Sequence, residues 1–241
     1  MTTTAVEAMD VEGQDVKDEV AAGWRIALPA CAAVIPLGLA LGVLVVQSGL
    51  PWWMGPVMAA LVLAGSMEFL LVGMLAVAAP FAQIAVSTVL VNFRHVFYAL
   101  SFPLHRVAGR GWKAYATFAL TDESYALTAN PEAGTWSRAR IISIQVSFHA
   151  AWVACVAAGA GLGSIIPSSV VGLDFAVTAL FVVLGMEAYK VRRAVSIPVL
   201  ALGSALIAAL ISTEHMLLIA MALFVGALVA SYVAEKRRKH V

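Results

Sequence analysis

Charge is what this sequence has least of. Only 12% of its 241 residues are Asp, Glu, Lys or Arg, against about 25% in soluble domains. Between Ile26 and Leu104 there are two formal charges, Glu68 and Arg94, so no water-exposed domain can be cut from that stretch. The net charge of +1 leaves no basic surface for a nucleic acid and no acidic scaffold to argue from. Cysteine is also scarce. Cys31 and Cys155 both sit in apolar runs, which excludes a disulfide framework and a cysteine metal site. Strict alternation is missing as well, and with it the signal of a membrane β-barrel. What fills the chain is hydrophobic: 62% of residues, with a mean hydropathy of +0.92. The expected fold is an all-α polytopic membrane protein whose main surroundings are the lipid bilayer.

Residues 1–23 hold six acids and one base, Lys17, which is not the pattern of a secretory signal. Val6, Met9, Val16 and Val20 permit an amphipathic helix there; a solvated acidic tail is the alternative. This gives an acidic N-terminal segment over 1–23, a transmembrane domain over 24–234 and a basic tail over 235–241. At roughly 17–25 residues per crossing, the apolar segments fall near 24–47, 54–79, 81–103, 114–130, 139–163, 170–190, 195–213 and 215–234. The fourth is interrupted by polar residues, so seven or eight segments are expected. Gly38 and Gly42, and Gly159 and Gly163, have the spacing that lets helix backbones approach closely. In a chain this rich in Ala and Gly such spacings arise by chance, so they carry little weight.

Orientation follows Lys and Arg in short loops. The clusters are Arg106/Arg110/Lys113, Arg138/Arg140, Lys190/Arg192/Arg193 and Lys236–Lys239. With a cytoplasmic C-terminus the last four segments alternate cleanly, and eight full crossings put the N-terminus in the cytoplasm too. The loop 104–113 then lands outside with three bases. If segments three and four instead break in mid-membrane, or enter and return, every basic cluster is inside.

That conflict falls where polar residues are densest. Four spots interrupt the apolar pattern: Gly65-Ser66-Met67-Glu68, Asn92-Phe93-Arg94-His95, Thr121-Asp122-Glu123-Ser124, and Gln145, Ser147 and His149. Facing lipid unpaired, the four charged residues among them would cost on the order of 10 kcal/mol. They must pair, line water or change protonation state. Glu68 and Arg94, lone opposite charges in neighbouring segments, are most cheaply buried near each other or with a substrate between them. Each spot also has a plainer reading: a structural ion pair for Glu68 and Arg94, a hydrogen-bonded core histidine for His149, an aqueous turn for Asp122 and Glu123.

An enzyme is not expected. No paired-ligand spacing for a metal appears, no serine or aspartate motif for intramembrane proteolysis, and no cofactor signature. A simple ion pore would show charge rings or a filter repeat, and neither is present. The constellation does suit a zwitterion. Broken helices offer backbone N–H groups at the positive end of the helix dipole, Arg94 offers a fixed cation, Glu68 a carboxylate, and the apolar lining suits an apolar side chain.

The stretches LAGSMEFLLVGMLAVAAPFAQIAVSTVLVNFRHVFYALSFPLH, FALTDESYALTA and ISIQVSFHAAW resemble the large subunit of AzlC-type branched-chain amino-acid exporters. The two-component isoleucine, leucine, valine and methionine exporters of actinobacteria are the most similar type. The resemblance covers residues 24–234. Many members carry glutamine where this chain has Glu68; the actinobacterial type has the acid. The resemblance implies export of branched-chain amino acids and methionine across the bacterial cytoplasmic membrane by a secondary transporter. It implies drive by the proton-motive force and a small AzlD-type membrane subunit as partner, with the higher oligomeric order of the complex left open. Its motifs fall on Gly65, Ser66, Glu68, Asn92, Arg94, His95, Asp122 and Glu123 as substrate-binding or coupling residues. The resemblance assigns no role to His149, which stands as a candidate proton-handling residue. Transport of another small metabolite, uptake, and a non-transporting scaffold remain as alternatives.

Overall fold

The computed structural model describes residues 3–128, 130–165, 182, 195–213 and 215–239. Every regular element among them is helical. The sixth apolar segment, near 170–190, and the cluster Lys190/Arg192/Arg193 lie outside the described residues. The chain divides into two compact units, residues 1–78 with 91–170 and residues 79–90 with 171–241.

The first unit is framed by two long helices, α1 (Thr3–Gln47) and α8 (Arg138–Ile165). Residues 15–47 of α1 and all of α8 are long and apolar enough to cross a membrane. The acidic segment continues α1 back to Thr3 and is helical rather than an extended tail, and α1 runs through Pro29 and Pro36. Between them lie α2 (Met54–Leu61), α3 (Gly65–Ala76), the end of α4 (Phe81–Asn92), α5 (His95–Tyr98), α6 (Arg110–Phe118) and α7 (Asp122–Thr128). Short 3-10 turns occupy Leu104–Arg106 and Pro131–Thr135. The second, third and fourth apolar segments are therefore each broken, at 62–64, 93–94 and 119–121, beside the polar spots of the sequence.

The two frame helices run parallel: Gly23 faces Ser143, Gly38 faces Cys155 and Gly163 faces Val43. A parallel pair needs an odd number of crossings between its members. Three full crossings by segments two to four satisfy this, and so does one crossing with two segments that enter and return. The seam is made of the very glycines whose spacing carries little weight on composition, and the structure corrects that expectation. A Cβ at Gly42 would collide with the Val156 carbonyl, and one at Gly159 with the Leu39 carbonyl and, at 2.7 Å, its Cα. These backbones touch because neither residue has a side chain; the match of the two small-residue motifs is steric complementarity, not composition. Leu41, Val45, Ile141, Ile144 and Ala160 of the two helices are buried as well. The ends of the seam are tied by polar bonds. Glu19 takes Arg140 and Ser137, and Gln47 Nε2 donates to the Gly163 carbonyl at 3.1 Å.

In the second unit α9 (Ser196–Ile211) packs along α10 (Met216–Lys239), burying Ser204 and Ala208. Large apolar side chains stand outward on both units, Leu61 on the first and Phe81 and Leu210 on the second among them. Such an apolar exterior is a lipid-facing one.

The seam yields a stability test. Gly42→Leu or Gly159→Leu should destabilise the detergent-solubilised chain by about 1–3 kcal/mol or more, the scale of core overpacking, and lower its thermal midpoint. Gly73→Ala, where a Cβ meets nothing within 4 Å, should leave that midpoint unchanged or raise it slightly.

Candidate functional site

The first break ends α2 and starts α3 inside one apolar segment. Leu63 sits at φ 48°, a left-handed conformation that costs a non-glycine residue on the order of 1 kcal/mol or more. What holds it is Glu68, on the first turn of α3. Its Oε1 accepts the Ala64 backbone N–H at 2.9 Å, reaching back over the helix start much as a capping glutamate does. Trp152 of α8 donates its indole N–H to both carboxylate oxygens at 3.1 Å. The Glu68 side chain is fully buried and has no ion pair among the described residues. Gly65 makes room for this arrangement: a Cβ there would lie 3.3 Å from the Trp152 ring.

The second break places Asn92, Arg94 and His95 between α4 and α5. His95 Nδ1 donates to the Asn92 carbonyl at 2.9 Å, so a side chain takes up a backbone acceptor that the break releases. Arg94 turns toward the other breaks. One of its terminal nitrogens donates to Ser66 Oγ at 2.9 Å and pairs with Asp122 Oδ2 at 2.7 Å. Asp122 opens α7 after the third break, and its other oxygen accepts the Tyr98 hydroxyl at 2.8 Å. Tyr98 stacks on Tyr125 with ring centroids 4.2 Å apart, and Tyr125 shares a hydrogen bond with Ser101 at 2.8 Å. Half-helices α5 and α7 are thus cross-braced. The Arg94 and Asp122 side chains remain about two-fifths exposed, and Arg94 Nε and Asn92 Oδ1 have no hydrogen-bond partner among the described residues.

The third break is serviced from α8. Gln145 Nε2 donates to the carbonyls of Ala116 at 2.8 Å and Ala119 at 3.3 Å, and Ser124 Oγ donates to Ala119 O at 3.0 Å. These are the carbonyls that α6 leaves unbonded at its end. His149 Nδ1 lies 3.2 Å from the Tyr115 hydroxyl, against Tyr115 and Phe118. Glu123 is half-buried and has no hydrogen-bond or ion-pair partner among the described residues. Nor do any three His, Cys, Asp or Glu among them gather as a metal site would require.

The structure brings Ser66, Arg94 and Asp122 into direct contact, with Gly65 and Glu68 on the same helix turn as Ser66 and Asn92 and His95 flanking Arg94. Neither Glu123 nor His149 bonds to that group. One expectation is corrected: Glu68 and Arg94 do not pair. Asp122 meets the guanidinium, while two N–H donors satisfy Glu68 without a cation. Sequence reasoning missed Trp152, Tyr98 and Tyr125. A tryptophan in the interior of a long apolar segment was the available signal, because its N–H needs an acceptor there.

The family model described as AzlC protein matches residues 29–166, more than half of the chain. The chain belongs to the AzlC family. The matched stretch runs from α1 to the end of α8 and so contains all three breaks. Among AzlC-family relatives, a protein of Bacillus subtilis (strain 168) described as a branched-chain amino acid transport protein is 32% identical over 169 residues, covering 69% of this chain and 66% of that one. An uncharacterized membrane protein of Helicobacter pylori (strain ATCC 700392 / 26695) is 34% identical over 196 residues, 80% of this chain and 86% of its own. One of Haemophilus influenzae is 28% identical over 216 residues, 85% of each. No solved structure matches.

The rearranged pairing has a measurable consequence. In a double-mutant cycle on stability, Arg94→Gln and Asp122→Asn should couple by about 1 kcal/mol, between exposed and buried pairs in size. Arg94→Gln and Glu68→Gln, linked only through the Ser66 turn, should couple by less than that. Coupling of the second pair instead of the first would contradict the arrangement.

Proposed function

We propose that this chain is the large subunit of a secondary transporter that exports leucine, isoleucine, valine and methionine across the bacterial cytoplasmic membrane. The observation that carries the reading is the half-exposed Arg94–Asp122 pair at the meeting of three helix breaks. A zwitterion can replace both partners at once. Its carboxylate takes Arg94 with Ser66 and the first N–H groups of α3; its ammonium takes Asp122. The stacked Tyr98 and Tyr125 beside the pair offer apolar surface for a hydrocarbon side chain. The transport described for the Bacillus relative supports the same substrate class. The proton-motive force supplies the drive.

A small AzlD-type subunit completes the transporter. Gly161, Gly203 and Gly226 have open space where a side chain would be, and small outward-facing residues leave room for another membrane helix. Both termini are cytoplasmic on this reading, placed by Arg138/Arg140 and Lys236–Lys239. The competing reading, a scaffold whose charges only lock helices together, is favoured by one observation: the Arg94 and Asp122 charges satisfy each other.

Counterflow of labelled leucine in liposomes, with and without the small subunit, separates the two. Arg94→Lys keeps the charge but loses the planar fork, and should lower counterflow tenfold or more in a folded protein. A scaffold predicts no counterflow in any variant. Full-rate transport by this chain alone would remove the two-subunit claim. For topology, a cysteine at Ser196 should resist a membrane-impermeant label in intact cells and react after permeabilisation.

A further inference from the structure

Three acids stand near the helix breaks, and the structure gives them different partners. Asp122 is neutralised by Arg94. Glu123 is half-buried and bonds to nothing described. Glu68 alone is fully buried, with both oxygens engaged and no cation. Among the described residues the elements around it supply no free countercharge, since Arg94, on Ser66 of the same turn, is taken by Asp122. α2 carries no titratable side chain. The described charges of α1 end at Arg25, thirteen residues or about 20 Å along the axis before Gly38, which faces Cys155. Cys31 of α1 is a buried free thiol. On α8, His149 is spent on Tyr115. A carboxylate so placed has one way to shed its charge, which is to take up a proton.

We infer that Glu68 carries the coupling proton, and that the first turn of α3 ties its protonation to the hold of Arg94 on substrate. This rests on the transport reading above. Only one O–H bond changes: water on one side of the membrane gives a proton to a Glu68 oxygen, and water on the other side takes it back. The link to substrate is short. Ionised, Glu68 is a strong acceptor for the Ala64 and Trp152 N–H groups and pins the start of α3 to α8. Protonated, it accepts more weakly and the clasp loosens. Ser66, two residues earlier on that same turn, is the hydrogen-bond partner of Arg94. Two sites biasing one element is the physical content of coupling. Trp152 is a positioning residue in this scheme.

The test uses full-length chain, co-expressed with the small subunit and reconstituted in liposomes. Two signals are read: labelled-leucine counterflow at equal pH, and leucine accumulation driven by an imposed pH gradient. Absence of counterflow in the unsubstituted protein overturns the transport reading and this inference with it. Given wild-type counterflow, Glu68→Gln should keep it within about threefold and lose gradient-driven accumulation by tenfold or more. Retained accumulation overturns the inference, and so does loss of both signals in a folded variant, which would make Glu68 a substrate contact. If Glu68→Gln does not fold, Trp152→Phe decides. That variant removes the N–H donor but keeps an aromatic ring, and it should shift the pH profile of transport by half a unit or more. An unmoved profile overturns the inference.

Discussion

A helix can be broken in apolar surroundings only if something takes up the backbone groups it releases. That constraint organises the first unit. Each break leaves donors at a helix start or acceptors at a helix end, and each has a side chain in reply: Glu68 for the Ala64 N–H, His95 for the Asn92 carbonyl, Gln145 and Ser124 for the Ala119 carbonyl. The polar residues that look out of place in the sequence are thus, first, the means by which the chain breaks three helices. On the proposed reading, function is built on what they leave over. Arg94 and Asp122 satisfy each other rather than a backbone group, and they stay half-exposed.

One helix braces all of this from the side. Gln145, His149 and Trp152 stand on α8, which the glycine seam presses against α1. Without that close parallel contact α8 would be one more apolar helix whose position depended on its neighbours. With it, α8 is a fixed rail from which Gln145 reaches α6 and Trp152 reaches α3. Stability and site geometry are therefore linked at Gly42 and Gly159, residues with no chemistry of their own.

The positions of the breaks were legible in the sequence, because a polar cluster inside an apolar run is too costly to face lipid and marks where the helix opens. The partners were less so. Pairing Glu68 with Arg94 followed from counting formal charges, and it failed because a carboxylate can also be satisfied by N–H dipoles. A sequence read for charge does not count those. Trp152 went unnoticed for the same reason: its one donor is invisible in any tally of ionisable groups. The seam glycines were visible but uninformative, since nothing in one chain says which of many small residues will face another helix. Asp122 stood among the candidates, yet only the fold shows that its helix start is delivered to the guanidinium.

The electrostatics of the Arg94–Asp122 pair also constrain what can enter, on the proposed reading. A bound zwitterion replaces one ion pair by two, and the net charge of the site stays at zero throughout. An anion without an ammonium would free Asp122 and leave it uncompensated. A cation without a carboxylate would do the same to Arg94. Either would raise the cost of the low-dielectric site by the charge it strands. Discrimination in favour of amino acids thus needs no contact beyond one to each member of the pair. The pairing of Arg94 with Asp122, which by itself favours a structural lock, is on this argument what makes the site selective. Only a ligand that can satisfy both ends of the pair leaves neither charge stranded.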